Sequence, residues 1–364
     1  MNNNDVLIAK NALLDFCRDV FIKLNLSSGD AEMAAKVLVE ADVRGIASHG
    51  VGRLKRYVNG LQTGQMLPDV QSRIIMESDS SIVVDAAGGM GAPVSIRTMR
   101  HVIEKADKNG AAFGCVCNSN HFGIAGYYAM LALERDMLGI AMTNTAALGV
   151  PTFGRQVMFG TNPLAFCAPA NQEKAFVLDM STTVVSRGKI EVCERDKKAL
   201  PLNWAVDKTG RSAADAGAVL NDMFHRYGGG ILPLGGEGEQ YGGYKGYGLA
   251  VMVDILCAVL CGAPFGMAIH DTETSSARVS HFFGALKIDR FRKTEVFRDD
   301  MDKMLRQLRE TPVAEGSERV WFAGEKEFEF KERAEKNGVP VSIPTWKNLK
   351  LIAEEFGLSL HERK

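Results

Sequence analysis

Ser48-His49-Gly50-Val51-Gly52-Arg53 places an imidazole and a guanidinium four residues apart. On a helix that spacing puts both on one face, where they can meet the same small molecule. A guanidinium fork grips a carboxylate through two parallel bonds. An imidazole titrates near neutrality and can pass a proton to or from the adjacent oxygen. The pair is thus equipped for a 2-hydroxy or 2-oxo acid. Taken without its neighbours, the segment is equally a helix-capping serine, a solvated histidine and a surface arginine.

Other polar loops fall at the ends of predicted strands, where ligand sites of α/β proteins gather. Asn118-Ser119-Asn120-His121-Phe122-Gly123-Ile124-Ala125-Gly126 follows an apolar strand and enters a helix. Backbone N–H groups at such a start favour a phosphate or carboxylate. Thr143-Asn144-Thr145 ends the next strand, and Gly160-Thr161-Asn162-Pro163 is a polar turn. A Rossmann fingerprint is missing. Gly89-Met90-Gly91-Ala92-Pro93-Val94 lacks the third glycine and reads as a turn into a helix, with Pro93 in its first turn. Lys245 is followed by Gly246 rather than Ser or Thr, so the P-loop pattern fails as well.

The elements that must position these residues change rhythm along the chain. The first 64 residues read as helices, with Leu13, Cys17, Val20, Phe21 and Leu24 as one apolar stripe. Ser27-Ser28-Gly29-Asp30 caps a second helix to about Val43, and Gly45 ends it. A third helix is predicted to start at Ser48-His49 and to carry Arg53 and Tyr57. From about residue 80 strands and helices alternate: strands at 82–85, 111–117, 138–142 and 175–179, helices at 94–108, 127–135 and 182–193. Residues 228–248, rich in glycine, read as a shaped loop. It feeds an apolar helix, Leu249 to Cys261, expected to be buried on most sides. Helices return at 298–308, 324–337 and 346–356. This order implies that both chain ends pack as one helical unit. The predicted division is 1–77 with 312–364 as a helical domain carrying the Ser-His-Gly motif, and 78–311 as an α/β cofactor-binding domain.

Bulk properties exclude other classes. The 364 residues are enough for two domains, or one large core with an accessory unit. With 43 basic and 44 acidic side chains there is no basic face for nucleic acid. Seven cysteines, odd in number and without a C-x-x-C pair, read as reduced thiols of a cytoplasmic protein. Met1 to Asp5 lacks the basic start of a signal peptide. The longest apolar stretch, Gly248 to Ala263, contains Asp254 and is expected to be too short for a bilayer. A soluble protein without membrane partners is the expectation.

Five ordered segments resemble one known family. They are Arg44-Gly45-Ile46-Ala47-Ser48-His49-Gly50 with Arg53 and Tyr57, Asn118 to Gly123, Gly160 to Pro163, Leu178-Asp179-Met180-Ser181-Thr182, and Gly243-Tyr244-Lys245-Gly246-Tyr247-Gly248-Leu249. The chain is similar nearly end to end to the type-2 malate/L-lactate dehydrogenases, the L-sulfolactate dehydrogenase-like group of non-Rossmann NAD(P)-dependent oxidoreductases. The resemblance implies an α/β (α+β) fold, with a sheet-and-helix cofactor domain and a helical domain built from both ends. It also implies a homodimer and NAD or NADP as cofactor, NAD favoured. The substrate would be a small 2-hydroxy or 2-oxo acid, L-malate or L-lactate first. A cyclic imino acid or ureidoglycolate is the alternative.

By the same resemblance His49 is the catalytic acid/base, supported by Ser48 and by the carboxylate of Asp179. A carboxylate on one ring nitrogen would fix the tautomer and leave the other facing substrate. In isolation Asp179 reads equally well as a helix cap. Arg53 and Thr161 resemble substrate contacts. His121, Phe122, Gly123, Ile124, Ala125, Thr145, Leu178, Asp179, Met180, Gly235, Gly236 and Gly316 resemble the cofactor-binding set. His121 is also a second candidate for the proton transfer and a substrate contact. The chain departs from the family pattern at Ala314-Glu315-Gly316, where Pro-Gly-Glu is usual, and at Ala214-Asp215-Ala216. Two rivals remain, a hydrolase using Ser48, a histidine and an aspartate, and a non-catalytic nucleotide-binding protein. No strand precedes Ser48 to form a nucleophile elbow.

Overall fold

The computed structural model describes residues 5–362, so most of the segment read for a leader, residues 1–4, lies outside the described residues. In chain order the first elements are β1 (Val6–Ile8), α1 (Lys10–Lys23), α2 (Ser28–Val43), α3 (Leu54–Gln62), β2 (Arg73–Glu77) and β3 (Ser81–Asp85). There follow α4 (Gly91–Asn109), β4 (Ala111–Ser119), α5 (Ala125–Leu131), β5 (Met137–Thr143), β6 (Leu164–Ala168), β7 (Phe176–Met180) and α6 (Arg187–Arg195). Then come β8 (Ala205–Val206), α7 (Ala216–His225), β9 (Gly230–Ile231), α8 (Gly243–Cys257) and β10 (Val279–Lys287). The chain ends with α9 (Thr294–Arg309), α10 (Glu325–Asn337), β11 (Val339–Val341) and α11 (Ile343–Phe356).

Seven strands form one sheet in the order β2-β3-β4-β10-β5-β6-β7. Only β3 and β4 run parallel, and every other neighbouring pair is antiparallel. This is a mixed sheet, not a doubly wound Rossmann sheet, and it agrees with the missing glycine fingerprint. Helices α4 and α5 cover one face through a core containing Val102, Val116, Tyr128 and Phe283. Helix α8 covers the other, where Val253 and Cys257 meet Cys115, Met142 and Phe282.

The two chain ends are joined directly. β1 pairs with β11 in antiparallel register, Val6 opposite Val341 and Ile8 opposite Val339. The apolar stripe of α1 is buried as expected, with Leu13, Cys17, Val20 and Phe21 all at 0% exposure. Ser27 caps α2 by accepting the Asp30 amide, and Gly45 follows the helix at φ +78°. These helices share one continuous core with the inner face of the sheet.

Several sequence expectations are corrected. Residues 73–77, assigned to the helical unit, form the edge strand β2 and belong to the sheet. The predicted helix 182–193 starts only at Arg187, because Thr182 and Val184 hydrogen-bond to other chain segments (Thr161 and Leu232). The central strand β10 was not foreseen. A separate small core around Val150, Ile190, Val206 and Ile231 holds α6, α7 and the β8–β9 pair together.

Helix α8 is not buried on most sides. Val253 and Cys257 face the sheet and Gly246 packs on the Leu234 backbone, whereas Val251, Ile255 and, just past the helix, Val259 lie open, Ile255 at 50% exposure. The helical run Gly243–Cys261 spans 19 residues and is long and apolar enough, by length and composition alone, to cross a membrane, against the expectation from its shorter apolar stretch.

Helix α4 begins where it presses on the His121 loop. A Cβ on Gly91 would lie 2.0 Å from the backbone oxygen of Asn120 and 2.8 Å from that of His121. Gly91→Ala is therefore expected to cost about 1–3 kcal/mol of stability, as overpacking does. Urea unfolding would measure it, and an unchanged midpoint would contradict this packing.

Candidate active site

The Ser-His-Gly segment is not the start of one α-helix. Ala47–His49 and Val51–Arg53 are two short 3₁₀ turns, hinged at the extended Gly50, and α3 begins at Leu54. The common face expected from i,i+4 spacing is replaced by a local clasp. The Arg53 Nε donates to the Ser48 carbonyl at 2.7 Å, and Ser48 Oγ lies 2.9 Å from His49 Nδ1. Imidazole and guanidinium still end on one side, because Ser48 touches both.

The second histidine comes from the loop between β4 and α5. The His49 and His121 rings stack with centroids 5.5 Å apart. Tyr57 of α3 places its hydroxyl 2.7 Å from His121 Nδ1, and the Gly123 amide donates to the same nitrogen at 3.3 Å. An amide N–H only donates, so His121 Nδ1 carries no proton and Nε2 holds it. Burial and the nearby Arg53 charge push His49 down to about 4. Burial, followed by the charges of His49 and Arg53, pushes His121 well below the ordinary imidazole value. Burial also raises Tyr57 to about 12. Both imidazoles are therefore neutral at physiological pH.

Arg53 is the charged member. Among the described residues no carboxylate lies within 4 Å of it, although Arg56 reaches Asp271 at 3.9 Å and Arg187 reaches Glu191 at 2.8 Å. Burial is the main cause that lowers its affinity for a proton, and the Arg56 and Arg187 charges press in the same direction. A half-buried guanidinium without an acidic partner is a site for an anion.

The loop carrying His121 is braced from β10 by residues that motif reading passed over. His281 is fully buried, stacked on Phe122 at 4.4 Å, with Ser119 Oγ 2.9 Å and Thr143 Oγ1 2.8 Å from its two nitrogens. Asn120 donates to the Gly88 and Gly89 carbonyls at 2.8 Å and accepts from Ser276. No alternation of polar and apolar residues in Val279-Ser280-His281-Phe282-Phe283 signals this role.

The polar turns gather at the end of the sheet that also carries the His121 loop, since His281 touches both Ser119 and Thr143. The Thr161 amide donates to Thr145 Oγ1 at 3.1 Å, and the Thr145 amide donates to Asn162 Oδ1 at 3.2 Å. Thr182 donates to the carbonyls of Thr161 and Asn162, both at 3.1 Å, and its own carbonyl takes the Leu234 amide. Gly235 and Gly236, at φ +99° and +81°, are thereby set beside this cluster. Gly316 lies in an exposed turn at φ +79°.

Asp179 stands apart from the histidine it was expected to support. Its Oδ2 accepts the Gly126 amide at the start of α5 at 2.7 Å, and the nitrogen of His49 faces Ser48 instead. Nor does Asp179 cap the helix that follows Met180, as its cap reading expected: that helix starts only at Arg187, and the amide Asp179 accepts belongs to α5. Asp179 lines a cavity of about 250 Å³ together with Arg44, Ile46, Ile124, Leu178, Trp321 and Glu327. Burial raises its carboxyl to about 6. Chain continuity ties this cavity to the histidines, since Ile46 is three residues before His49 and Ile124 three after His121.

The cavity suits part of a dinucleotide. Trp321 lines it with an indole that Arg319 covers at 3.8 Å and Lys326 approaches at 5.1 Å, and the Asp179 carboxylate has an oxygen beyond the one engaged by Gly126. A Cβ on Gly126 would come within 2.8 Å of that carboxylate, so the bare backbone keeps the space open.

Residues 8–350 match the family model described as malate/L-lactate dehydrogenase. A malate dehydrogenase of Pyrococcus abyssi is 40% identical over 98% of this chain and 97% of its own. An L-sulfolactate dehydrogenase of Methanocaldococcus jannaschii is 35% identical over 94% of this chain and 95% of its own. The crystal structure of malate dehydrogenase from Entamoeba histolytica superposes with a TM-score of 0.94 at 31% identity, covering 98% of this chain and 99% of that one.

Proposed function

Because the chain belongs to the malate/L-lactate dehydrogenase family, whose chemistry implies a nicotinamide cofactor, we propose that it interconverts an L-2-hydroxy acid and its 2-oxo acid, with L-malate and oxaloacetate first and L-lactate and pyruvate second. The observation that carries this reading is Arg53, a half-buried guanidinium with no acidic partner, held beside two neutral imidazoles. The nearby Arg56 charge adds a positive field that suits an acid with a second anionic group, Arg187 being paired with Glu191.

His49 is the proton-transfer residue. Its Nδ1 faces a hydroxyl, which can accept or donate, so the ring can gain and lose a proton at Nε2 without losing its partner. His121 cannot do so as easily, because the Gly123 N–H faces its Nδ1 and opposes protonation there. It serves as a fixed donor through Nε2. Arg53 holds the carboxylate and sets the direction of the neighbouring carbon. When bound, the nicotinamide accepts or supplies the hydride.

Leu178, Asp179, Met180, Ile124 and Ala125 are proposed to hold the cofactor, with Phe122, Gly123, Thr145, Gly235, Gly236 and Gly316 as further contacts. Thr161 remains a proposed substrate contact. NAD is proposed ahead of NADP with Asp179 as the ribose-facing carboxylate, in a cavity whose acids Asp179 and Glu327 are matched by Arg44 and Lys326. A carboxylate there accepts ribose hydroxyls and repels a phosphate. The exposed apolar stripe of Val251 and Ile255 on α8, continued by Val259 in the turn after it, supports a homodimer. The free thiols suit the reducing cytoplasm. The hydrolase rival lacks its third member, since Asp179 is bound to Gly126.

The test is consumption of NADH or NADPH with oxaloacetate, pyruvate and a cyclic imino acid, with ureidoglycolate assayed in the oxidative direction. Oxaloacetate with NADH is expected to turn over fastest. Activity confined to the imine or to ureidoglycolate would move the chain to the alternative substrate class. No turnover of any 2-oxo acid with either cofactor would sink the proposal.

A further inference from the structure

Asp42 is a carboxylate placed where simple energetics disfavour it. It sits in the last turn of α2, where the helix carbonyls repel negative charge, and only 5% of it is exposed. Among the described residues no lysine, arginine or histidine nitrogen lies within 4 Å of it, and burial raises its carboxyl to about 7. Its Oδ2 accepts the Val51 amide at 2.6 Å, across the hinge between the two 3₁₀ turns. Gly50 lies flat against the same carboxyl: a Cβ there would fall 2.1 Å from its Cγ and Oδ1. An apolar side chain would fill this space at lower cost, but it would leave the Val51 N–H without its partner.

We propose that Asp42 is a positioning residue, which locks the hinge at Gly50-Val51 and so fixes where His49 and Arg53 point. This rests on the assignment of those two side chains to 2-oxo acid chemistry. The hinge is the backbone link between the turn that bears His49 and the turn that bears Arg53, and the Arg53–Ser48 clasp closes across it. A carboxylate clamped on its amide sets the angle between them. The neighbouring titratable group is Cys17 of α1, whose buried thiol is raised further by the Asp42 charge.

The test combines kinetics with hydrogen–deuterium exchange of the segment 46–54 in the full-length protein. Asp42→Ala is expected to lower kcat for the preferred 2-oxo acid by about tenfold to a hundredfold, the scale of small misplacements in a site. NADH affinity, read by its fluorescence, should stay near wild type, and exchange across 46–54 should accelerate. Asp42→Asn, whose side-chain oxygen can still accept the Val51 N–H, should recover kcat to within about threefold with near-normal exchange.

If Asp42→Ala does not fold, Gly50→Ala carries the test, because its added methyl must push the hinge off the carboxyl. It should show the same fall in kcat and the same faster exchange. Wild-type kcat and exchange in Gly50→Ala, or equal damage in Asp42→Asn and Asp42→Ala, would overturn the proposal. The exchange readout needs no turnover, so a wild type inactive on 2-oxo acids would overturn the functional reading and leave the clamp to be judged separately.

Discussion

His49→Ala is expected to lower kcat by on the order of a hundredfold to ten-thousandfold, the range general acid–base groups contribute, with NADH affinity close to wild type. The reason lies in the pairing of His49 with Ser48 rather than with a carboxylate. A hydroxyl can turn its proton either way, so the ring keeps its orientation in both protonation states. Burial and Arg53 hold the group down to about 4. Oxidation of a hydroxy acid needs the neutral ring, and its rate should therefore be lost only as pH falls toward that value. Reduction needs the protonated ring and should gain as pH falls over the same interval. Steady-state rates of the variant in both directions would check this. Full activity in His49→Ala would hand the proton to His121.

Arg53→Ala is expected to raise KM for the 2-oxo acid by about two orders of magnitude or more. A hydrogen bond to a charged group is worth about 1.5–3 kcal/mol, and a fork makes two, while tenfold in binding corresponds to about 1.4 kcal/mol. Arg53→Lys should recover part of the charge but neither the fork nor the Nε bond to the Ser48 carbonyl. A KM for oxaloacetate within a few-fold of wild type in Arg53→Ala would place the substrate carboxylate elsewhere.

How much of this was readable in the sequence depends on whether a residue acts with its neighbours or across the fold. The stripe of α1, the Ser27 cap and the closeness of His49, Arg53 and Tyr57 follow from local patterns, whereas the place of His121 in the site came only from the family resemblance. The local pattern misled at the Ser48–Arg53 stretch. Identical spacing fits one α-helix or two 3₁₀ turns, and the hinge at Gly50 is set by Asp42 from another element.

β10 was missed because a central strand, with helices over both faces, has no reason to alternate; Val279 through Ala285 is buried throughout. His281 therefore looked like an isolated histidine. Asp179 shows the opposite failure. Its type was right for supporting an imidazole, yet only the packing of β7 against α5 decides that it meets the Gly126 amide. The open side of α8 was obscured because both of its faces are apolar, and composition alone cannot say which one the sheet takes.

The pairing of residues 6–8 with 339–341 bears on how the enzyme is made. The layer that frames His49 includes a strand and two helices from the last forty residues. During synthesis the first helices emerge long before those partners exist. Helices α1 and α2 can pack on each other early, but the faces that meet β11, α10 and α11 must wait until those residues have been made. Catalytic competence in this design is a property of the finished chain, and a truncated product would be a client for chaperones rather than a weak enzyme.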